Sequence, residues 1–530
     1  MSYSEKNTTD YSIAQPDKQL EYDVVIIGSG AGGGITSEIL SRAGLKVLIV
    51  EEGPLKTAQD FKMQEKIAYA DLYQENAGRQ TLDKGIQILQ GRSVGGSTTV
   101  NWTSSFRTPE QTLKFWDTEF SVKGLQRNEL SPWFDWVEKR LHIAKWQVPP
   151  NRNNQLLADG LDSLGWKHAI IPRNVKGCAN LGYCGMGCPI NAKQSMLVST
   201  IPGALENGAQ LIHRARAESL IIENNQVKGV WLSSMNSHGQ IKKKNVSKVL
   251  AKRIVLSAGA IGSPSILLRS HAPDPYARLG ARTFLHPVSV TVAKMPEKVE
   301  AFSGAPQSVY SDQFLWRDGV SGELGYKLEV PPMHPALSST LMLRHAKAHT
   351  QLMKDLPFYQ ANLSLVRDGF NSDSQGGQVS LDENGYPQLD YKITDAVWRA
   401  LRESMLKMTE LQFAVGAEKT LALHLDAIQQ TSWRSAQVEI KQLPADRLRW
   451  QTLSAHLMGG CGMGQDEKNS VVNSLGEHHQ LENLMVIDGS LFPTSLGVNP
   501  QLTIYSIAAK LASQLAINMN AKLPDDLASL

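Results

Sequence analysis

Four cysteines in 530 residues are too few for a disulfide framework, and three of them crowd together at Cys178, Cys184 and Cys188, which points to chemistry rather than stapling. Charge of one sign is also lacking. The 54 basic and 51 acidic residues leave a net charge of +3, so neither a nucleic acid nor an anionic membrane surface is demanded. The longest basic run, Lys242-Lys243-Lys244, lies among polar residues and reads as a solvated hairpin tip. No apolar stretch is long enough to span a bilayer. The first twenty residues hold neither an apolar signal core nor a twin-arginine pair, so a cytoplasmic location is expected; export with a signal-bearing partner subunit escapes that test. What remains is a globular chain large enough for about two domains with substantial cores.

The stretch around which the chain is organised is Tyr22 to Gly53. Val24 to Ile27 is a β-branched run suited to a parallel strand buried on both faces, and it leads directly into Gly28-Ser29-Gly30-Ala31-Gly32-Gly33, which opens a helix. Gly28 permits the tight turn, Gly30 lets the backbone approach a pyrophosphate, and Gly33 lets helix and strand pack closely. Lys46 to Val50 reads as the next strand, with Glu51 at its end, where a carboxylate accepts hydrogen bonds from an adenosine ribose. Strand, glycines, helix, strand and acid in one unit predict dinucleotide binding, without separating NAD from FAD.

A second dense run of small residues follows, Gly91-Arg92-Ser93-Val94-Gly95-Gly96-Ser97-Thr98-Thr99-Val100-Asn101, in which main chain and hydroxyls can crowd against a planar or phosphate-bearing ligand. With this loop the chain resembles the glucose–methanol–choline (GMC) flavoprotein oxidoreductases, whose GR-x-x-GGSS-x-x-N loop runs beside the flavin; Thr98 replaces the second serine. The resemblance implies FAD, with Arg92, Gly95, Gly96 and Asn101 among its contacts. A second segment of the family, "SAGAIGSPSILLRS", follows the short buried strand Ile254 to Ser257, and a helix is expected to start at Ser263.

Elsewhere the patterns are more generic. Leu130 to Leu141 reads as a helix with Ser131 as N-cap and Pro132 at its first position. Leu220 to Ile222 and Val227 to Leu232 flank Asn224-Asn225 as a hairpin, and the resemblance places Ala217, on the strand before it, near the adenine. Gln378 to Leu381 and Gln388 to Tyr391 form another hairpin, and a helix from Asp395 carries Val397, Leu401, Met405 and Met408 as core. Leu484 to Ile487 is a strand with Asp488-Gly489 at its carboxyl end, followed by a helix from Thr503 to Ile517. Ligands of open α/β sheets bind beyond the carboxyl ends of strands, so Asp488 can reach the ligand that Gly28 holds. Two separated halves sharing one ligand favour FAD over a dissociable nicotinamide.

The expected fold is α/β: a Rossmann-like FAD-binding domain assembled from residues 20–110, 200–287 and 446–522, with a substrate domain of residues 111–199 and 288–445 built on an antiparallel sheet with helices. Residues 1–19 and 523–530 are expected to be flexible tails.

Near the C-terminus, "SAHLMGGCGMG" contains His456 and "SLGVNPQL" contains Asn499. A neutral imidazole beside a hydroxyl suits removal of its proton during hydride transfer, and an adjacent amide can orient the oxygen. The two segments look like the catalytic pair of GMC enzymes, most like cholesterol oxidases and long-chain alcohol oxidases. The resemblance implies His456 as acid/base, Asn499 as its substrate-orienting partner, and Gly489 and Pro500 as cofactor contacts. Gln501 and Thr503 are candidates for a supporting shell.

The run from Gly177 to Pro189 has C-x5-C-x3-C-P spacing on a glycine-rich loop. Its tail recurs in ferredoxin ligand runs, and the loop resembles the cluster loop of cytochrome-coupled FAD-dependent glucose dehydrogenases; similar loops occur in long-chain alcohol oxidases without a known cluster. Reduced structural thiols lead, with a three-iron cluster on Cys178, Cys184 and Cys188, or zinc, as alternatives. Cys461 reads as a packed small residue.

The leading reading is an FAD-dependent oxidoreductase acting on the CH–OH group of an apolar, long-chain or sterol-like alcohol. Phe314, Trp316, Leu328, Val330 and Met333 supply apolar surface in the substrate domain, which core packing explains equally well. A cytochrome-coupled sugar dehydrogenase with an Fe–S cluster, a non-redox lyase on the same fold and a non-catalytic flavoprotein subunit are the alternatives. Oxygen, a quinone or a cytochrome are all open as electron acceptor.

Overall fold

The structure is a computed structural model that describes Tyr3, residues 6–14 and residues 20–530. It is built on two large sheets, and residues of both line one cavity.

The first sheet grows from strands β1 (Thr8–Asp10), β2 (Leu20–Ile27) and β3 (Val47–Glu51), with helix α1 (Ala31–Arg42) between the last two. Val24, Val25 and Ile26 are wholly buried, as are Val47, Leu48 and Ile49. Each side chain buried in this way contributes about 1.5–3 kcal/mol, which is why an unbroken β-branched run serves here instead of an alternating one. With β4 (Ile86–Ile88) belonging elsewhere, the sheet continues through β5 (Gln210–His213), β6 (Ala215–Glu223), β7 (Gln226–Met235) and β8 (Ile241–Leu256). Its order is β1-β5-β3-β2-β8-β7-β6. The last residues of β8 pair in parallel both with β2 and with β14 (Leu484–Val486), so segments more than 200 residues apart end side by side. Asn224 and Asn225 take positive φ values of 50° and 61°, as the tight β6–β7 turn requires.

The second sheet, largely antiparallel, joins β4 to β9 (Val288–Lys294), β10 (Tyr326–Glu329), β11 (Tyr359–Val366), β12 (Lys419–Ala422) and β13 (Thr452–Ser454). Its order is β10-β11-β9-β13-β4, with β12 also on β9. Helices α2 (Arg127–Arg140) and α3 (Gly259–Arg269) precede α4 (Asp395–Ala414), which covers this sheet with Val397, Leu401, Met405 and Met408 buried; Thr394 caps its N-terminus by accepting from Val397 N.

Several elements start elsewhere than the sequence predicts. Helix α2 spans Arg127–Arg140, because Gln126 and Glu129 form a capping box that outcompetes Ser131; Pro132 therefore lies inside the helix. Helix α3 spans Gly259–Arg269, and Ser263 turns its hydroxyl to Asp488 instead of opening the helix. Lys242 to Lys244 form the exposed start of β8, while the hairpin tip is Asn236 to Gln240. The termini are not loose throughout. Thr8–Asp10 adds a parallel strand to β5, Tyr11 is fully buried, and Asp10 pairs with Arg214 at 2.8 Å. At the other end the short helix Asp525–Ala528 buries Leu527, and Asp526 pairs with Arg42 at 2.6 Å and accepts from the Trp136 indole. Among the described residues, no helix is long and apolar enough to cross a membrane.

Candidate active site

A cavity of about 510 Å³ runs between the two sheets, from Gly28, Gly30 and Glu51 past Arg92 and Ala217 to His456 and Asn499. The turn from β2 into α1 forms its floor. Gly28 has φ +101°, and a Cβ there would lie 2.3 Å from Ser257 O, so only glycine makes this turn. A Cβ on Gly33 would lie 1.9 Å from Gly28 O, which is the close packing expected of it. Gly32 carries the tightest approach, 1.8 Å from Ile487 O, where α1 seats against the end of β14. Gly30 is the N-cap of α1, with no side-chain capping bond and no acidic residue in the first turn, and Ala31 and Gly32 line the cavity beside it. An open, uncapped helix N-terminus of this kind fits a pyrophosphate.

Glu51 is buried and accepts from Ser29 N at 3.0 Å, Ser29 Oγ at 2.5 Å and Gly53 N at 2.8 Å. Burial raises its pKa, against these hydrogen bonds, which lower it. Ser29 Oγ in turn accepts from Gly95 N at 2.9 Å, so the two glycine loops are joined through one hydroxyl. Gly96, Arg92 and Asn101 line the cavity, while Gly33 and Gly95 stand behind its wall. Arg92 lies under the β7–β8 hairpin tip, where a Cβ on Gly239 would come within 2.4 Å of its guanidinium. Asn101 donates to Gln501 Oε1 at 2.7 Å, and Gln501 Nε2 donates to Ser104 O at 2.8 Å. Thr503 Oγ1 bonds Thr108 Oγ1 at 2.8 Å, so at the start of helix α5 (Gln501–Asn518) Gln501 ties the helix to the loop ending at Asn101 and Thr503 ties it to the segment beyond that loop.

Asp488, Gly489 and Pro500 also reach the cavity. Asp488 accepts from Gly259 N at 2.8 Å, Ser263 Oγ at 2.6 Å, Ser490 N at 2.8 Å and Ser490 Oγ at 2.5 Å. Its carboxylate thus ties the end of β14 to the N-terminus of α3, with burial raising its pKa.

At the far end, Asn499 Nδ2 lies 3.5 Å from His456 Nε2, and the two segments singled out in the sequence converge. The nearby wall is apolar: Val288 from β9, Leu363 and Leu365 from β11, Leu453 from β13, and Trp102. Phe314, Trp316, Leu328, Val330 and Met333 do not line it and belong to the packed core and its edges. The cavity can therefore seat an elongated dinucleotide along its glycine floor and an apolar molecule bearing one oxygen at its histidine end.

Three residues that the sequence reading passed over complete the polar end. His286 Nδ1 lies 3.1 Å from His456 Nδ1, with the rings nearly perpendicular. Lys327 Nζ lies 3.3 Å from Asn499 Oδ1, and Asn499 Nδ2 lies 3.3 Å from Glu329 Oε2. Glu329 Oε1 stands 3.1 Å from Lys327 Nζ, an ion-pair contact rather than a well-directed hydrogen bond. Burial, and then the Lys327 charge, depresses His456 to about 3; burial lowers Lys327 to about 8.

The alternatives of a three-iron cluster or zinc on the cysteine loop are not supported. Among the described residues no group of three His, Cys, Asp or Glu is placed to hold a metal ion. Cys178, Cys184 and Cys188 are half-buried free thiols, and Cys461 is fully buried. Cys184 lies in a short turn, its sulfur accepting from Arg173 at 3.5 Å. Its carbonyl accepts from buried Lys193 at 2.7 Å, and the same ammonium donates to Thr99 O at 2.5 Å and Asn101 O at 3.0 Å. The cysteine loop thus braces the loop that ends at Asn101.

Family models described as GMC oxidoreductase match residues 69–288, for the N-terminal part, and 372–508, for the C-terminal part. A long-chain-alcohol oxidase of Arabidopsis thaliana is 30% identical over 95% of this chain and 68% of its own. A cholesterol oxidase of Mycobacterium tuberculosis is 22% identical over 93% of this chain and 91% of its own. Among solved structures, pyridoxine 4-oxidase from Mesorbium loti superposes with a TM-score of 0.70 at 16% identity, covering 93% of this chain and 99% of that one. A formate oxidase of Aspergillus oryzae gives 0.69 at 15% identity, covering 95% and 100%. These two likenesses are of fold.

Proposed function

The chain belongs to the GMC oxidoreductase family, and from that premise we propose that it oxidises the CH–OH group of an apolar alcohol, long-chain or sterol-like, with FAD as cofactor. The observation that carries this reading is the placement of His456 and Asn499, 3.5 Å apart, at the apolar end of the cavity whose other end is the Gly28–Gly30 turn and Glu51.

Bound FAD would supply the two-electron acceptor for the carbinol C–H. In this assignment the Gly28–Gly33 turn and the N-terminus of α1 hold the pyrophosphate, with Ser29 fixing Glu51 at the adenosine ribose and Ala217 beside the adenine. Arg92, Gly95, Gly96 and Asn101 form or back one wall of the cofactor site, and Asp488, Gly489 and Pro500 the other. His456, as acid/base, and Asn499 meet the hydroxyl, while Val288, Leu363, Leu365, Leu453 and Trp102 take the hydrocarbon. The first sheet with its helices serves the cofactor and the second covers the substrate. The relatives' names support an apolar alcohol, as does this wall.

Steady-state turnover with decanol, ethanol and glucose, using an artificial electron acceptor, tests the reading. Decanol should have the highest kcat/KM. Preference for glucose would overturn the apolar assignment, and no redox turnover with any alcohol would favour a lyase.

A further inference from the structure

Two chains of hydrogen bonds converge on the pair at the polar end of the cavity. The first begins at a backbone amide: Gly497 N lies 3.0 Å from His286 Nε2. An amide nitrogen can only donate, so Nε2 is the acceptor, and neutral His286 keeps its one ring hydrogen on Nδ1. That hydrogen points at His456 Nδ1, 3.1 Å away. His456 Nδ1 is then an acceptor in its turn, and the neutral ring carries its hydrogen on Nε2. Both imidazoles stay neutral near pH 7, because burial and neighbouring positive charge hold His286 well below its usual range and His456 at about 3.

The second chain fixes the amide. Lys327 has only hydrogens to offer and lies against Asn499 Oδ1, while Glu329 Oε2 accepts from Asn499 Nδ2. Lys327, Glu329 and Asn499 are 1%, 0% and 4% exposed, so no water competes for the orientation. The amide therefore turns Nδ2, a donor, toward His456 Nε2 at 3.5 Å. Two donors do not bond each other, and each N–H is left facing the cavity in want of an oxygen.

We propose that His286 is a positioning residue which, held by the Gly497 amide, fixes His456 in its Nε2–H tautomer, so that His456 and Asn499 present two converging N–H donors to the alcohol oxygen. This rests on the reading of His456 and Asn499 as the pair that meets the hydroxyl, and it makes His456 a hydrogen-bond donor to the oxygen rather than the group that takes its proton. Two preorganised donors hold an oxygen more strongly as negative charge grows on it, which favours the transition state over the bound alcohol. The carbinol C–H bond would break with its electron pair toward FAD, and with Nε2 already carrying a hydrogen the hydroxyl's proton passes to a solvent water in the cavity rather than to His456. His286 is itself held in an unusual conformation: its φ is +46°, and the buried Asp368 carboxylate accepts from Leu285 N at 3.1 Å and His286 N at 3.2 Å. A backbone so constrained aims the ring.

The test is nitrogen NMR of the FAD-loaded enzyme labelled with 15N-histidine, with His456 assigned by comparison with His456→Gln. The expected spectrum shows Nε2 of His456 protonated and Nδ1 bare. His286→Asp replaces the Nδ1–H donor with an oxygen that only accepts. It should move the His456 hydrogen to Nδ1 and lower kcat by about 10²- to 10³-fold, the scale for loss of one preorganised donor to a developing oxyanion, with a much smaller change in KM. His286→Asn returns an N–H donor to that position and should recover most of the lost turnover. A wild-type His456 carrying its hydrogen on Nδ1 would overturn the proposal whether or not the variants fold, and so would wild-type kcat in His286→Asp. If His456→Ala still turns over normally, the underlying assignment of the pair fails; if His456→Ala is inactive and His286→Asp is indifferent, only the role of His286 fails.

Discussion

Gly96 lies against Gly30 so closely that a Cβ on Gly96 would stand 2.8 Å from Gly30 Cα. Two loops far apart in sequence thereby form one continuous floor of bare backbone. A methyl on Gly96 would press on Gly30 and part the two loops.

Gly30→Val should fold and bind no FAD, because its side chain occupies the place of the pyrophosphate, while Gly96→Ala, strained at φ +53°, should reduce FAD occupancy. Gly32→Ala should act on the fold itself, with a loss of about 3 kcal/mol or more, since its Cβ would overlap Ile487 O. The ratio of flavin to protein absorbance and urea unfolding separate the two effects. A fully loaded Gly30→Val protein would contradict the cofactor assignment.

His456→Ala should retain FAD and lose about 10²- to 10⁴-fold in the rate of flavin reduction by alcohol, the range for removal of a positioned acid or base. Stopped-flow absorbance under anaerobic conditions measures it. Reduction at the wild-type rate would remove His456 from the chemistry.

The buried histidine also links stability to pH. His456 titrates at about 3 in the folded chain and near 6.5 when unfolded, so between these values the unfolded state binds more protons. Its contribution is complete above pH 6.5 and is lost as the pH falls toward 3, and His286 acts in the same direction. The urea midpoint should therefore drop between pH 7 and pH 5, and drop less in His456→Gln. An equal drop in both proteins would place the titration elsewhere.

Across a series of straight-chain alcohols, kcat/KM should rise about 3- to 4-fold per methylene until the apolar wall is filled, the increment expected from about 0.8 kcal/mol per buried CH₂. Leu365→Asp should flatten the series by placing a carboxylate in that wall. A wild-type series that is already flat would argue against a hydrocarbon-binding cavity.

The sequence made one half of the site legible and hid the other. Gly28, Gly30 and Gly33 announce themselves because each needs the absence of a side chain for a reason that fixes its spacing, and His456 and Asn499 lie in segments with a family resemblance. Lys327 and Glu329 read differently: in Tyr326-Lys327-Leu328-Glu329 the alternation is that of a strand with one face in water. Here both faces are buried, and the charged pair neutralises itself against Asn499. His286 carried no signal, since its role depends on an amide at Gly497 and a ring at His456, both more than 150 residues away in the chain. The helix starting at Arg127 was hidden by Pro132, which resembles a helix start but sits past a capping box made by Gln126 and Glu129. The cysteine spacing matched a ligand pattern, yet the folded loop spends Cys184 on Arg173 and on the buried Lys193 brace.

The anaerobic absorption spectrum of the purified, FAD-loaded protein before and after addition of decanol tests the central claim most directly. The flavin bands should bleach to the two-electron-reduced form on addition. Flavin bands left unchanged by decanol, sterol and shorter alcohols alike would contradict it.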